Sequence, residues 1–312
     1  MVNPARASSG SDSISSSVDK VFLDCFEKQM NSLKAIGLTV AAGRSQSTLL
    51  FGLPGNGRTF ALRTVMSLLA RDHSSAFASI LNVTPASLFG IVKSLDGLTN
   101  PFEAISKQSI AAKRPTLLCF EEIDAYSPPH ILLEARPLES GSDFSRSFSN
   151  SVLTSEFASF LDRIMIEERI WVVGIVNSPG DCAPAIIQRF TIPIFFGMPE
   201  LNAIEAIIGN MLGTNRGKAI GRLLVRKTSE FGIYLSFNAL IYACNEVNRE
   251  KTLKELSDED IVSRILAFRG SGITAESVKR YERINSGFIN VSLNEAMPFW
   301  SKELKRLEVE HS

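Results

Sequence analysis

TLLFGLPGNGRTFALRT, Thr48 to Thr64, reads as a buried strand (Leu49, Leu50, Phe51), a glycine-rich turn and the start of a helix at Arg58 and Thr59. Its core, GLPGNGRT from Gly52 to Thr59, fits the phosphate-loop pattern G-x-x-x-x-G-K-[ST] at every position except one, where Arg58 replaces the lysine. Gly52, Gly55 and Gly57 admit backbone conformations closed to residues with a Cβ, so successive N–H groups can turn inward around a phosphate. The helix that follows aims its unpaired N-terminal N–H groups at the same anion. Thr59 would place a hydroxyl on a magnesium ion. Arg58 is the departure. A guanidinium is wide and planar and does not replace a compact ammonium at a crowded site, so catalysis is expected to suffer more than phosphate binding.

Working outward, 312 residues are enough for one large domain or two smaller ones. Lys plus Arg total 33 and Asp plus Glu total 33, which removes any global bias toward nucleic acid or a membrane surface. Cys25, Cys119, Cys182 and Cys244 are far apart and form no C-x-x-C, which argues against zinc and against a disulfide framework and for a reducing compartment. With no apolar signal core and no run of 18 or more apolar residues, a soluble, intracellular, cytoplasmic protein is expected, with membrane contact only through partners.

Residues 1–17 are Ser-rich and expected to be a disordered tail. From Val18 the pattern is helical, with Val21, Phe22, Cys25, Phe26 and Met30 at three- and four-residue steps, and such a helix would pack beside the nucleotide fold. Phe60–Leu69 reads as the helix after the phosphate loop and Ala76–Leu81 as a second strand. Residues 85–98 read as loop and short helices, and Pro101–Ala112 as a helix. The third strand, Thr116–Phe120, runs into Glu121, Glu122, Ile123 and Asp124. An apolar strand ending in adjacent carboxylates suits phosphate hydrolysis, one holding magnesium or its water and the next polarising an attacking water.

Residues 131–151 read as loop and Leu153–Ile166 as helix, before another fully apolar strand, Trp171–Val176. That strand stops at Asn177, which could orient the attacking water or could cap the next turn. Thr191–Phe196 is the fifth strand. Apolar strands alternating with helices imply a parallel sheet covered on both faces, with ligands at the strands' carboxyl ends, where the glycine turn, Glu121, Glu122 and Asn177 all lie. Beyond Gly197 the strands stop. Pro199–Leu212, Ala219–Thr228, Ser236–Val247, Asp258–Ala267 and a helix from Ser277 give a small all-helical domain, and Asn294–Val309 reads as a charged C-terminal helix.

With those pieces placed, the chain resembles the AAA ATPases from about Val21 to Phe288. GLPGNGRT is similar to that family's Walker A, LLCFEEIDA (Leu117–Ala125) to its Walker B and IVNSP (Ile175–Pro179) to its sensor 1. PAIIQRF (Pro184–Phe190) is similar to its arginine-finger segment, with Arg189 matching one arginine and Gln188 standing where another is usual. TSEFASFLD (Thr154–Asp162) and ITAESVKRYERINSGF (Ile273–Phe288) resemble the meiotic clade, which holds katanin, spastin, fidgetin and the vacuolar protein-sorting ATPase.

The resemblance implies an α/β P-loop domain over residues 18–198, a small all-α lid over 199–290 and a C-terminal helix over 291–312. It implies ATP and Mg2+ as cofactors and a ring, commonly hexameric, that acts on a protein substrate without direct nucleic-acid contact. It assigns nucleotide binding to Gly52, Pro54, Gly55, Asn56, Gly57, Arg58, Thr59 and Phe60, and magnesium to Thr59 and Glu121. Glu122 would activate water, Asn177 would position it, and Arg189 would reach a neighbouring subunit's γ-phosphate. Departures stand beside these matches: Arg58 for lysine, Glu121 for the Walker B aspartate, Ser151 and Val152 where arginines are usual, and Ile91 for the aromatic of a pore loop near Gly90–Lys93. FGIYLSFNAL lacks the clade's glycine-rich turn near the adenine. The alternative is a hydrolysis-deficient subunit or scaffold acting through a partner. A nucleic-acid motor is the less favoured third reading, since no interleaved basic and aromatic stripe accompanies the neutral charge balance.

Overall fold

β4 (Ile170–Val176, IWVVGIV) is buried at all 7 positions, the signature of a strand covered on both faces. It is the middle of a five-stranded sheet with β1 (Gln46–Phe51), β2 (Ser79–Val83), β3 (Thr116–Glu121) and β5 (Ile192–Phe195) in the order β2-β3-β4-β1-β5, every neighbouring pair parallel. Register places Phe51 opposite Val176 and Glu121 opposite Ile175, so β1, β4 and β3 end side by side.

The computed structural model describes residues 17–72, 77, 79–87, 102–103, 105–107, 114–125, 127, 141–167, 169–212, 215–249, 256–268 and 273–285. These fall into two compact units. Residues 29–52 and 58–195 form a sheet unit, while residues 17–28, 53–57 and 196–285 form a helical unit.

In the sheet unit, α2 (Glu27–Ala41) and α3 (Arg58–Asp72) approach closely at Gly37, where a Cβ would lie 2.4 Å from Leu69 Cδ1. Helix α4 (Gly141–Ile164) packs Phe157 and Phe160 on Phe120 of β3, with ring centroids 5.0 and 5.6 Å away, and Phe102 joins the cluster. Trp171 is fully buried, yet its indole N–H donates to Thr48 Oγ1 at 3.0 Å, so no polar atom of the ring is stranded. A short helix, α5 (Pro184–Ile187), leads into β5.

The helical unit holds α1 (Ser17–Cys25), α6 (Leu201–Met211), α7 (Gly217–Glu230), α8 (Phe237–Asn248), α9 (Asp258–Phe268) and α10 (Ala275–Asn285). Its core follows helical spacing: Ile204, Ile207 and Ile208; Ile220 and Leu224; Leu240, Ala243, Cys244 and Val247; Ile261, Val262 and Ile265. Arg216, just before α7, donates from Nε to Asp258 Oδ1 of α9 at 2.7 Å.

Three expectations are corrected. Strands do not stop at Gly197, because β6 (Ile233–Tyr234) pairs antiparallel with β7 (Ile273–Thr274); two-residue strands are too short to show a period. The segment read as loop up to Ser151 is helical from Gly141, because no proline or glycine interrupts 142–164 and the packed turns around Phe157 propagate backward. The helix read from Val18 is broken at Phe26, and α1 falls in the helical unit together with residues 53–57 of the glycine turn. Phe26 is buried there, with its ring 5.1 Å from Phe196 and 5.3 Å from Phe237. The Ser-rich tail up to residue 16, Gly90–Lys93 with Ile91, and the Asn294–Val309 helix lie outside the described residues. Among the described residues, no helix is long and apolar enough to cross a membrane.

Candidate functional site

β1 ends at Phe51 and α3 begins at Arg58, so GLPGNG is the whole connection between them. Gly52, Gly55 and Gly57 have φ of 150°, 80° and 79°, the last two in the left-handed region that residues with a Cβ rarely enter. Thr59 is half-buried in the first turn of α3 and Phe60 beside it is exposed.

Residues 53–57 pack within the helical unit, where they cap α8. Asn56 is fully buried, and its Oδ1 accepts from Phe237 N at 3.3 Å while its Nδ2 faces Met198 Sδ at 3.3 Å. Gly55 O accepts from Asn238 N at 3.0 Å, and Ser236 Oγ accepts from Ala239 N at 3.3 Å. The first three N–H groups of α8, orphans by helix geometry, are thereby all satisfied. A Cβ at Gly55 would stand 2.5 Å from Ser236 Oγ, and one at Gly57 would stand 2.2 Å from Phe22 Cε2. Pro54 is exposed. Ser236 and Phe237 were not legible as partners, because the pairing spans 181 residues; the sequence placed Ser236 only at the start of a helix.

In the sheet unit, Gly52, Glu121, Glu122 and Asn177 stand at the carboxyl ends of three adjacent strands, and Gly52 N donates to Asn177 O at 3.3 Å. Arg58 is buried and turned onto this strand end. Its Nη1 donates to Gly52 O at 2.6 Å and to Val176 O, and its Nη2 donates to Asn177 Oδ1 at 2.5 Å. Asn177 is exposed and does not cap the next turn; Ser178 is the residue at that cap position.

Glu121 closes β3 and accepts from Asn82 Nδ2 at 3.2 Å, a partner on the neighbouring strand that the sequence did not announce. Glu122 is exposed at φ 53°, a left-handed backbone that a non-glycine residue holds at a cost of about 1–2 kcal/mol. Its carbonyl accepts from Ala125 N at 2.9 Å, which starts the turn Ile123–Ala125. Strain of that kind concentrates at functional positions. Beyond the turn, Ser127 Oγ donates to Ile123 O at 2.6 Å, while Ser127 O accepts from Ala183 N at 2.6 Å.

Arg189 is held elsewhere. Its carbonyl accepts from Ser47 Oγ at 2.9 Å at the amino end of β1, so its backbone lies roughly 16 Å from Gly52 at about 3.3 Å per strand residue. Its guanidinium grips Asp162 of α4 at two points, Nε to Oδ1 at 2.8 Å and Nη2 to Oδ2 at 2.7 Å, and Nη1 donates to Ala185 O. This contact raises the Arg189 pKa and lowers that of Asp162, with the side-chain hydrogen bond the leading cause for both. Asp162 was quoted only as part of a matched helix; pairing across 27 residues leaves no local signal.

The model of the AAA family, ATPases associated with various cellular activities, matches residues 48–198, which run from β1 through the strand-end residues to just past β5. The chain contains an AAA domain. Its relatives include spastin from Ixodes scapularis, 25% identical over 262 residues, 78% of this chain and 37% of that protein. The ATPase family gene 2 protein homolog B of Rattus norvegicus is 30% identical over 182 residues, 57% of this chain and 21% of that one. The chain therefore spans between a fifth and two fifths of these relatives. Among solved structures, the FIGL-1 AAA domain in complex with ADP superposes with TM-score 0.52 at 19% identity, covering 78% of each chain, which supports the fold. The meiotic-clade resemblance of Thr154–Asp162 and Ile273–Phe288 agrees with the recurrence of spastins among the relatives.

Proposed function

We propose that this AAA domain hydrolyses ATP between neighbouring copies in a ring, commonly a hexamer, and uses the cycle to remodel a protein assembly in the cytoplasm. What carries the reading is a separation: Gly52, Glu121, Glu122 and Asn177 share the carboxyl edge of the sheet, while Arg189 sits by the amino edge. One copy cannot bring its own Arg189 to its own Glu122, whereas the next copy in a ring can.

Gly52, Pro54, Gly55, Asn56, Gly57, Arg58, Thr59 and Phe60 form the nucleotide-binding set. The positive-φ glycines fit a polyphosphate, because they let backbone N–H groups converge. Thr59 and Glu121 offer the hard oxygen donors that magnesium takes, and the metal would neutralise charge on the phosphates. Glu122 is a carboxylate with free access to water and accepts the proton as water attacks. Asn177 orients the reacting groups, and Arg189 supplies positive charge to the adjacent copy.

The test is mass and phosphate release recorded together after adding ATP and magnesium, for wild type, Glu122→Gln, Arg189→Ala and an equimolar mixture of the two variants. Wild type assembles and releases phosphate, each variant alone is inactive, and the mixture regains activity because some junctions join an intact Glu122 to an intact Arg189. A mixture as inactive as its components overturns the shared site.

One observation favours the alternative of a hydrolysis-deficient subunit or scaffold: Arg58 spends its fork on Gly52 O, Val176 O and Asn177 Oδ1 instead of standing free for an outer phosphate. Equal background phosphate release from wild type and Glu122→Gln would favour that reading.

A further inference from the structure

Arg58 is where the chain leaves the phosphate-loop pattern, and its side chain goes somewhere definite. Two backbone carbonyls, Gly52 O from the end of β1 and Val176 O from the end of β4, both accept from Nη1. Those strands are paired in register up to Phe51 and Val176, and Gly52 N donates to Asn177 O just beyond, so both acceptors are held at the strand ends and locate the guanidinium there. The second terminal nitrogen then meets Asn177 Oδ1 at 2.5 Å.

Guanidinium nitrogens only donate, whereas a carboxamide has one accepting and one donating end. The end of Asn177 that meets Arg58 is therefore its oxygen, and the end left for the exposed face is its NH2. A lysine carries all its donors on one nitrogen and has no planar fork, so it cannot hold two strand-end carbonyls and an amide oxygen in this arrangement.

We propose that Arg58 is a positioning residue that acts through Asn177: by taking the amide oxygen, it presents the Asn177 NH2 as a donor to the outermost phosphate of a nucleoside triphosphate. The inference rests on the reading that this edge binds nucleotide. Asn177 then distinguishes a triphosphate from a diphosphate, and Arg58 contributes to that distinction without touching phosphate. The arginine is thus an adaptation of the site.

The test has two arms. In the first, a fluorescent ADP and a fluorescent non-hydrolysable ATP analogue are titrated with magnesium into wild type, Arg58→Lys, Arg58→Gln, Asn177→Ala and the double variant Arg58→Lys/Asn177→Ala. Asn177→Ala is expected to weaken the ATP analogue about ten-fold and leave ADP unchanged. Arg58→Lys should do the same, and the double variant should be no worse than either single one. If Arg58→Lys weakens both nucleotides equally and its effect multiplies with that of Asn177→Ala, Arg58 binds phosphate directly and the proposal falls.

In the second arm the same variants are unfolded without nucleotide. Non-additive shifts of the unfolding midpoint support the contact, and additive shifts overturn it. A wild type that binds neither nucleotide removes the reading on which the phosphate contact rests, while the nucleotide-free cycle still decides whether Arg58 orients Asn177. Should Arg58→Gln fail to fold, Arg58→Lys, which retains the charge and most of the stem, carries both arms.

Discussion

Arg189 and Asp162 form a two-point ion pair that joins the segment before β5 to α4, with both contacts under 3 Å. Asp162 is 60% exposed on its side chain, so solvent screens much of the attraction, and the pair is expected to be worth under about 1 kcal/mol. Its pH dependence has a definite sign. The hydrogen bond from Arg189 lowers the Asp162 pKa in the folded state, so the folded chain binds this proton less readily than the unfolded one. The stabilisation is complete above the ordinary aspartate value of about 4 and disappears as pH falls through the lower folded value. Asp162→Asn should therefore lower the unfolding midpoint slightly at pH 7 and have no effect at pH values below both pKa values, as thermal unfolding of the two proteins across that range would show.

Glu122 predicts a different separation, between stability and activity. Its φ of 53° is strained for a side chain with a Cβ and free for glycine. Glu122→Gly should be at least as stable as Glu122→Gln, since relief of the left-handed strain offsets the entropy glycine loses on folding. Both should release no phosphate above background, because neither side chain accepts a proton. Denaturant unfolding and phosphate release on the same preparations decide it, and a Glu122→Gly protein markedly less stable than Glu122→Gln would show that the turn Ile123–Ala125 needs the side chain.

What the sequence revealed and what it concealed divide along a physical line. β1, β3 and β4 were legible because strands buried on both faces are written as unbroken apolar runs, and the helices after Gly197 because one buried face repeats every three to four residues. β6 and β7 were not, since two residues carry no period, and neither was the start of α4, whose Ser-rich turns have no pattern of their own. The strand-end placement of Glu121, Glu122 and Asn177 followed from strand boundaries alone. Their partners did not. Asn82, Asp162 and Ser236 act across sequence gaps that only a fold closes, and the inward turn of Arg58 depends on the register of β1 against β4.

Gly55 and Gly57 carry a prediction about side-chain space. Alanine at either position meets an unfavourable positive φ and a clash, with Ser236 Oγ at 2.5 Å for Gly55 and with Phe22 Cε2 at 2.2 Å for Gly57. Backbone strain and overpacking together give a loss of about 2–4 kcal/mol for each. Gly57→Ala should be the worse. The Phe22 ring is buried 4.8 Å from Phe26 and 5.3 Å from Phe237 and has nowhere to go, whereas a serine hydroxyl can rotate away. Denaturant midpoints at constant slope would show the order, and an unaffected Gly57→Ala protein would mean that the loop rests differently against α1.

The four cysteines give a chemical reading of the same packing. All are free; Cys119, Cys182 and Cys244 are buried and Cys25 is exposed. Burial pushes the thiols of Cys119, Cys182 and Cys244 up to about 12, because the thiolate would lose its hydration. Cys25 is raised to about 11, first by partial desolvation of its sulfur and then by the carboxylates of Glu200 and Asp24. Since the thiolate is the nucleophile, the native protein at neutral pH should label slowly with a maleimide and only at Cys25, with the rate climbing about ten-fold per pH unit below that value. Denaturant should expose all four at once. Mass spectrometry of labelled peptides checks both statements, and rapid native labelling of Cys119 or Cys182 would mean that the sheet's covering opens around β3 or before α5.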